Sequence, residues 1–230
     1  MTIQIDIPVG KLSKLRKIAD EVVFSVKENE VEIYAMSPSG SSLVYLKAGV
    51  NLGEKTGDYA VSTSDLSDLS SALRADVDIE DSVFIVDYVN KKGVRVKVSI
   101  NTAQPSVKTG DLAGLLAKNY SSSIHVNVDV LQSALDEVGS DAVLLKIDSQ
   151  LKDLVLSSSE PVKRKEARIP VFNLEGEFKD VKLDGVAFTE IVSIVKDLSK
   201  MAYIRQSDDG LVMVESENGL VKAFMAPLLD

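Results

Sequence analysis

The sequence predicts an α+β protein built from two similar halves, each with two helices packed on antiparallel sheets. Three observations predict this fold. Hydrophobic residues switch between a period of two and a period of 3.6 in a regular order. The order strand, helix, strands then recurs about four times along the 230 residues. Finally, most strands are separated by short turns, which favours antiparallel hairpins.

Two helices are predicted in the first half. The first covers 11–22, where apolar residues recur every three to four positions. The second follows a short strand at 59–61 and carries Leu66, Leu69 and Leu73 on one face. The other strands of this half are predicted at 3–7, 22–26, 31–36, 43–46, 82–89 and 94–100.

The second half repeats the pattern with two clearer helical stripes. One stripe contains Leu131, Leu135 and Val138, and the other contains Ile191 and Val195. Each stripe follows a short alternating segment and precedes strand-like segments. Strands are predicted at 124–128, 142–147, 154–157, 167–172, 181–183, 201–205, 211–215 and 220–225.

A segment rich in turn-forming residues separates the halves. It is too long for an ordinary loop inside one compact domain. We therefore predict an N-terminal domain over 1–100, an interdomain connector over 101–123 and a C-terminal domain over 124–230. One or two helical turns in the connector would expose leucines, among them Leu112 and Leu115.

The composition excludes several kinds of catalytic and metal site. Cysteine is absent, so disulfides, thiol catalysis and cysteine-ligated metals are excluded. The one histidine, His125, lies in an alternating segment, which favours a half-buried strand residue over a catalytic triad or a multi-histidine metal site. We predict no catalytic residue, no cofactor and no metal site, and hence a protein that is not an enzyme.

Charge and hydropathy narrow the class of partner. The 35 acidic residues outnumber the 26 Lys and Arg residues and give a net charge of −9, which taken alone argues against a generic basic nucleic-acid binder. The N-terminus lacks a signal-peptide pattern, and no apolar run is long enough to cross a bilayer. We expect a cytoplasmic protein, or a nuclear one in a eukaryote, with no membrane partner.

Two segments have the spacing of ligand-binding motifs but lack essential residues. Segment 49–56 has no glycine directly before its lysine, as a phosphate-binding loop requires. Asp76, Asp78 and Glu80 have the spacing of a calcium loop, but the glycine of its sixth position is replaced by Asp81. We predict a surface turn for the first segment and an acidic helix-to-strand turn for the second.

Two short motifs carry a resemblance to a known family. One is Val31-Glu-Ile-Tyr-Ala-Met-Ser-Pro-Ser-Gly-Ser-Ser-Leu-Val-Tyr-Leu46, and the other is Phe224-Met-Ala-Pro-Leu-Leu229. With these motifs and its order of four repeats, the chain resembles the sliding clamps of the PCNA (proliferating cell nuclear antigen) family. The resemblance implies the DNA-clamp fold, with two similar domains per subunit, assembled into a ring that is expected to be a trimer and whose helices line the central hole.

The resemblance also implies a function without chemistry. Such a clamp encircles duplex DNA without reading its sequence and tethers DNA polymerase, as a processivity factor in DNA replication and DNA repair. The implied partners are duplex DNA, DNA polymerase, a clamp loader, peptide-motif partners such as a nuclease or a ligase, and further copies of the chain or related clamp subunits.

Three groups of residues match the family's functional positions. The DNA-facing group lies on polar helix faces and consists of Lys14, Arg16, Lys17, Arg74 and Lys196. The partner-peptide group consists of Met36, Gly40, Leu43, Leu112, Leu115, Phe224, Ala226, Pro227 and Leu229. The subunit-interface group lies on two edge strands, 94–100 and about 165–171, and consists of Val94, Val96, Val98, Arg168 and Ile169.

Some positions depart from the family pattern. Ser71 and Asp136 stand where basic residues are common, so DNA attraction is expected to concentrate in the first domain. Gly40 replaces a larger residue, which implies a different choice of partner peptide. Pro170 removes one hydrogen-bond donor from the second edge strand.

Three other functions fit the sequence. One is a subunit of a heterotrimeric or checkpoint-type clamp, which the mass of the pure protein distinguishes from a homotrimer. Another is a small acidic enzyme that uses carboxylates and a bound metal, which loss of an activity on Asp substitution would reveal. The third is a scaffold that keeps the peptide pocket without binding DNA.

Overall fold

The computed structural model describes residues 2–5, 9–69, 75–80, 82–90, 92–106, 110–139, 141–158 and 164–229. The chain divides into two compact units, unit 1 over Met1–Lys108 and unit 2 over Thr109–Asp230. This division falls within the predicted connector. The bounds predicted for the two domains and the connector stay a prediction.

Unit 1 is built on an antiparallel sheet, in which the described strands follow the order β5-β2-β3-β4-β1-β6-β7-β8. Its strands are β1 Thr2–Ile5, β2 Glu21–Val26, β3 Val31–Met36, β4 Ser42–Asn51, β5 Gly57–Ser62, β6 Ala75–Glu80, β7 Val83–Val89 and β8 Arg95–Asn101. Its helical segments are a first 3-10 helix Val9–Lys17, α1 Thr63–Leu66 and a second 3-10 helix Ser67–Leu69.

Unit 2 contains two antiparallel sheets, ordered β13-β9-β15-β16-β17 and β12-β11-β10-β14 over its described residues. Its strands are β9 Ser122–Asn127, β10 Ala142–Asp148, β11 Asp153–Ser158, β12 Glu166–Pro170, β13 Asn173–Glu175, β14 Val181–Asp184, β15 Met201–Gln206, β16 Val212–Ser216 and β17 Val221–Met225. Its helices are α2 Gly110–Leu116, α3 Val128–Val138 and α4 Gly185–Leu198.

The strand pairings of the two units correspond, which confirms the predicted α+β fold with two similar halves. In unit 1, β1 pairs with β6 and β2 pairs with β5. In unit 2, β9 pairs with β15 and β10 pairs with β14 in the same antiparallel sense. In both units a helical segment follows the first strand of each repeat.

The two long helices of unit 2 form where the apolar stripes predict them. Asn127 caps α3 by accepting a hydrogen bond from the Val130 amide, and Gly139 ends it in the left-handed conformation with φ +46°. Asp184 caps α4 in the same way through the Ala187 amide. The apolar faces of α3 and α4 are buried in the core of the unit, with Leu131, Phe188 and Ile191 fully covered.

The first predicted helix is wrong in type and extent. The segment Val9–Lys17 is a 3-10 helix rather than an α-helix, and Val22 lies in β2. Leu12, Leu15 and Ile18 are spaced by three residues, the period of a 3-10 helix, and all three are buried.

Two further predictions, both in unit 1, are corrected by the structure. Asp76, Asp78 and Glu80 belong to β6, not to a turn, because Val77 and Ile79 alternate with them and face the core. The second predicted helix is reduced to α1 and one 3-10 turn, and its Leu73 lies outside the described residues. The short strand β13 was not predicted.

Candidate functional site

Three of the residues predicted to face DNA lie on the first 3-10 helix. Its last turn carries Lys14, Arg16 and Lys17, and Arg16 and Lys17 are exposed. Leu12 and Leu15 anchor the opposite side in the core, so the cations are held on the solvent side of the helix. A cationic helical face of this kind attracts phosphates without reading bases. Arg74 lies outside the described residues.

Lys196, the residue of unit 2 that is predicted to face DNA, is paired with an acidic neighbour. Its Nζ lies 3.0 Å from Oδ1 of Asp129, which places an ion pair between α4 and α3. Asp136 is exposed on α3 and accepts a hydrogen bond from Gln132 at 2.9 Å. The polar surface of these two helices is therefore less cationic than that of the first 3-10 helix.

The partner-peptide residues of unit 1 surround the turn between β3 and β4. Met36 is half-buried at the end of β3, and Leu43 is a core residue of β4 with 5% exposure. Gly40 adopts φ +71° in this turn, and a Cβ there would meet no atom within 4 Å. A glycine is needed at this position for its backbone conformation and not for space.

The partner-peptide residues of unit 2 lie on α2 and on the C-terminal segment. Leu112 is buried on α2, so the prediction that the connector helix exposes it is wrong. Leu115 is half-buried on the same helix, and Phe224 is buried in β17. Beyond β17, Ala226 and Pro227 are half-buried and Leu229 is 92% exposed. A single exposed apolar side chain is ordinary on a protein surface, so the exposure of Leu229 does not by itself mark a binding site.

A cleft of about 870 Å³ lies beside this C-terminal segment within unit 2. Pro227, Leu228 and the turn at 208–210 contribute to its lining. The Leu228 amide donates a hydrogen bond of 2.8 Å to the carbonyl oxygen of Lys182, so the segment runs along the edge of β14. The C-terminal segment thus has a fixed path in the unit.

A turn between β15 and β16 holds the segment that follows α2. Lys118 Nζ lies 2.5 Å from Oδ2 of Asp209, and Ser121 donates a hydrogen bond of 2.5 Å to Asp208. The hydrogen bond from Lys118 is the main reason that the pKa of Asp209 is lowered to about 2. Between these contacts, burial raises the pKa of Tyr120 to about 12.

The residues predicted to form the subunit interface lie on or directly beside strands at sheet edges. Within the described residues, β8 pairs with β7 alone and β12 pairs with β11 alone. Val94 precedes β8 with 54% exposure, while Val96 and Val98 are only half-buried. An apolar stripe that its own chain leaves half-covered on an edge strand favours pairing with another chain.

The two predicted interface residues on β12 have different surroundings. Ile169 is 1% exposed, so it can contribute to an interface through its backbone and not through its side chain. Arg168 lies 3.0 Å from Asp148 and 3.1 Å from Glu166. Its hydrogen bond lowers the pKa of Asp148 below the ordinary value, so the arginine is already paired within the unit.

Sequence reasoning missed three exposed apolar residues at the ends of these edge strands. Val89 ends β7 opposite the start of β8 with 58% exposure. Leu151 lies in the turn between β10 and β11, and Phe172 lies two residues after β12, with 63% and 68% exposure. For Phe172 the available signal was its position directly after the second predicted edge strand, about 165–171, whereas Val89 and Leu151 carried no such signal.

His125 is a half-buried residue of β9, as its alternating segment predicts. Its ring stacks on Tyr203 at 4.5 Å and meets the edge of Phe172 at 6.3 Å. Its Nε2 lies 3.7 Å from Oε1 of Glu217. In the described part of the chain, no group of three or more potential metal ligands is assembled, and none of the helices has both the length and the apolar character to cross a bilayer.

Comparison with solved structures identifies the fold. A subunit in the PCNA2–PCNA3 complex of Sulfolobus tokodaii superposes with a TM-score of 0.80 at 13% identity, over 99% of both chains. The chain has the sliding-clamp fold. PCNA from Thermococcus kodakaraensis matches this sliding-clamp fold with a TM-score of 0.74 at 14% identity, over 99% of this chain and 100% of its own.

A bacterial protein shares the sliding-clamp fold over part of its length. The DNA polymerase sliding clamp of Bacillus subtilis matches with a TM-score of 0.76 at 16% identity, and this chain spans 64% of its length. No protein-family model and no curated protein sequence matches the chain. The likeness is therefore one of structure, with a low level of sequence identity.

Proposed function

We propose that the chain is a subunit of a sliding clamp that encircles duplex DNA and tethers DNA polymerase as a processivity factor. The observation that carries this proposal is the likeness to the S. tokodaii subunit, which extends over 99% of both chains. The clamp acts as a scaffold and not as an enzyme. Its further partners are a clamp loader and peptide-motif proteins such as a nuclease or a ligase, in the cytoplasm or in a eukaryotic nucleus.

The cations of the first 3-10 helix support the DNA-binding part of the proposal. Lys14, Arg16 and Lys17 offer a local positive surface on a chain whose net charge is −9. An acidic exterior deters non-specific contact with nucleic acid, whereas a few cations facing the duplex attract it weakly and without sequence preference. Weak and sequence-independent attraction allows a closed ring to slide.

The edge strands support closure into a homotrimer. Each edge strand has exposed apolar residues at one end. Val89 and Val94 lie beside the start of β8, and Leu151 and Phe172 lie beside the end of β12. Antiparallel pairing of β8 from one copy with β12 from the next would bring these apolar ends together. One chain thus carries both of the edges that such a contact between neighbouring copies needs.

A primer-extension experiment tests the proposed function. With the polymerase and loader of the same organism, the protein is expected to lengthen products on primed circular DNA and to be lost from linear DNA with free ends. A topological link predicts this difference, because a ring slides off an open end. Equal stimulation on both templates, or stimulation on neither, would contradict the proposal.

The ion pair in unit 2 gives a separate prediction. Asp129→Asn should raise the affinity of the protein for non-specific duplex DNA by roughly threefold at 0.1 M salt, because it removes an anion and releases Lys196 from its 3.0 Å contact. Fluorescence anisotropy with a labelled duplex measures the change. Asp153→Asn, in the β10–β11 hairpin, is the charge-matched control and should leave the affinity unchanged.

A further inference from the structure

The turn between β15 and β16 is internally rigid. The Ser207 amide donates to the Leu211 carbonyl at 3.0 Å, and the Gly210 amide donates to the Ser207 carbonyl at 2.9 Å. Ser207 also donates a side-chain hydrogen bond of 2.5 Å to Asp209. Gly210 adopts φ +88°, a conformation that favours glycine. The turn therefore presents its carboxylates in fixed positions.

One side of this turn contacts the segment after α2. Lys118 is bound by Asp209, and Ser121 is bound by Asp208. Between these residues, Tyr120 donates a hydrogen bond of 3.3 Å back to the Leu115 carbonyl. The two carboxylates thus hold the segment directly after α2, the helix that carries the half-buried Leu115.

The other side of the turn lies beside the C-terminal segment. A Cβ built on Gly210 would lie 3.6 Å from Cγ of Pro227, an ordinary packing distance. Asp208, Asp209 and Gly210 line the same cleft as Pro227 and Leu228. Lys179 adds a hydrogen bond of 3.1 Å to the Asp208 carbonyl from the chain preceding β14.

We propose that the Ser207–Leu211 turn is the positioning element of the partner-peptide site in unit 2. Asp208 and Asp209 hold the segment after α2, and the same turn lines a cleft together with Pro227 and Leu228. One turn therefore lies between the two sets of residues predicted to contact a peptide and sets the spacing between them. Lys118, Asp208 and Asp209 are positioning residues that need not touch the peptide. This inference rests on the proposed clamp function and names how its peptide site is held.

The ion pair between Lys118 and Asp209 is formed at every cellular pH. The pKa of Asp209 is lowered to about 2 from an ordinary value of 3.8, so its carboxylate stays ionised at every pH above that ordinary value. A depressed folded-state pKa contributes stability that is lost only as the pH falls toward 2. The ion pair therefore stays formed across the physiological pH range and does not act as a pH switch.

Substitution of Lys118 tests the proposal directly. Lys118→Met keeps most of the length of the side chain but removes its charge, and it should lower the hydrogen-exchange protection of residues 110–121 by roughly 1.5- to fivefold, the range of an exposed ion pair. The dissociation rate of a fluorescein-labelled synthetic peptide with one aliphatic and one aromatic anchor should rise by a similar factor. Lys118→Arg should restore both values, and Asp209→Asn should reproduce the loss.

The controls separate positioning from general destabilisation. Lys152→Met removes an exposed lysine from the β10–β11 turn and should change neither measurement, and the protection of β15 and β16 should be preserved in every variant. Unchanged protection and unchanged dissociation in both Lys118→Met and Asp209→Asn would overturn the inference. Absence of peptide binding by the wild-type protein would overturn the proposed peptide site instead. The exchange data would still show whether the ion pair between Lys118 and Asp209 holds the segment after α2.

Discussion

Phe172→Glu should convert the assembled protein into monomers while each subunit stays folded. The side chain is 68% exposed in the single chain, so its replacement leaves no cavity in the core. In the proposed ring it would be covered by the apolar start of β8 from the next copy. Losing that apolar contact and burying a carboxylate weakens each interface by at least about 2 kcal/mol, or more than tenfold in dissociation constant.

Light scattering coupled to chromatography measures this change. One chain has a mass of 24.9 kDa. The wild-type protein is expected at three times this mass, and the variant at the mass of one chain. Val94→Glu should give the same result from the opposite edge, whereas Leu52→Glu, at a residue with 62% exposure in the segment after β4, should remain trimeric. A wild-type monomer that is stable at low and high salt would exclude the homotrimer and leave a subunit of a mixed ring.

Reversing three charges on the first 3-10 helix should abolish the stimulation of polymerase. Lys14, Arg16 and Lys17 cluster in its last turn, and together they contribute three cations per subunit. If each neutralises about one phosphate, their loss removes about three counterion-release contacts per subunit. We expect the triple Glu variant to lose at least about tenfold of the stimulation at 0.1 M salt, where repulsion adds to the lost attraction.

The matched control carries the same change in net charge at other positions of unit 1. Lys47, Lys55 and Lys92 are exposed and lie outside the helical segments, so their triple Glu variant should retain stimulation. Chromatography should show that both triple variants still assemble. Full stimulation by the helix variant would refute the DNA-facing assignment, and equal loss in both variants would show that only the overall charge matters.

The sequence predicted the repeated order of the elements because segments with a hydrophobic period of two and segments with a period of 3.6 alternate regularly along the chain. The stripes of α3 and α4 run over two or more turns and end at identifiable caps, Asn127 and Asp184. Short elements were predicted less well. A spacing of three residues fits one or two turns of either helix type, and the acidic residues of β6 concealed its alternation.

The contacts within the candidate sites were beyond sequence reasoning for a different reason. Lys118 and Asp209 are 91 residues apart in the chain, and Asp129 and Lys196 also belong to different repeats. No local pattern relates such partners, because the sheet pairings bring them together. The degree of exposure was equally hidden. The position of Phe172 after an edge strand marks it as a candidate contact, but Phe is typical of a core, and it is the end of β12 that leaves its side chain 68% exposed.

The stacked ring of His125 gives the protein a built-in spectroscopic reporter. It is the one histidine among 230 residues, so its imidazole produces a single set of resonances in an otherwise crowded proton spectrum. Phe172 lies 6.3 Å from this ring. The ring-current shift that Phe172 produces at the His125 protons depends on the orientation of the Phe172 ring. Addition of a neighbouring subunit to β12 would therefore register as a shift at His125, without any label or substitution.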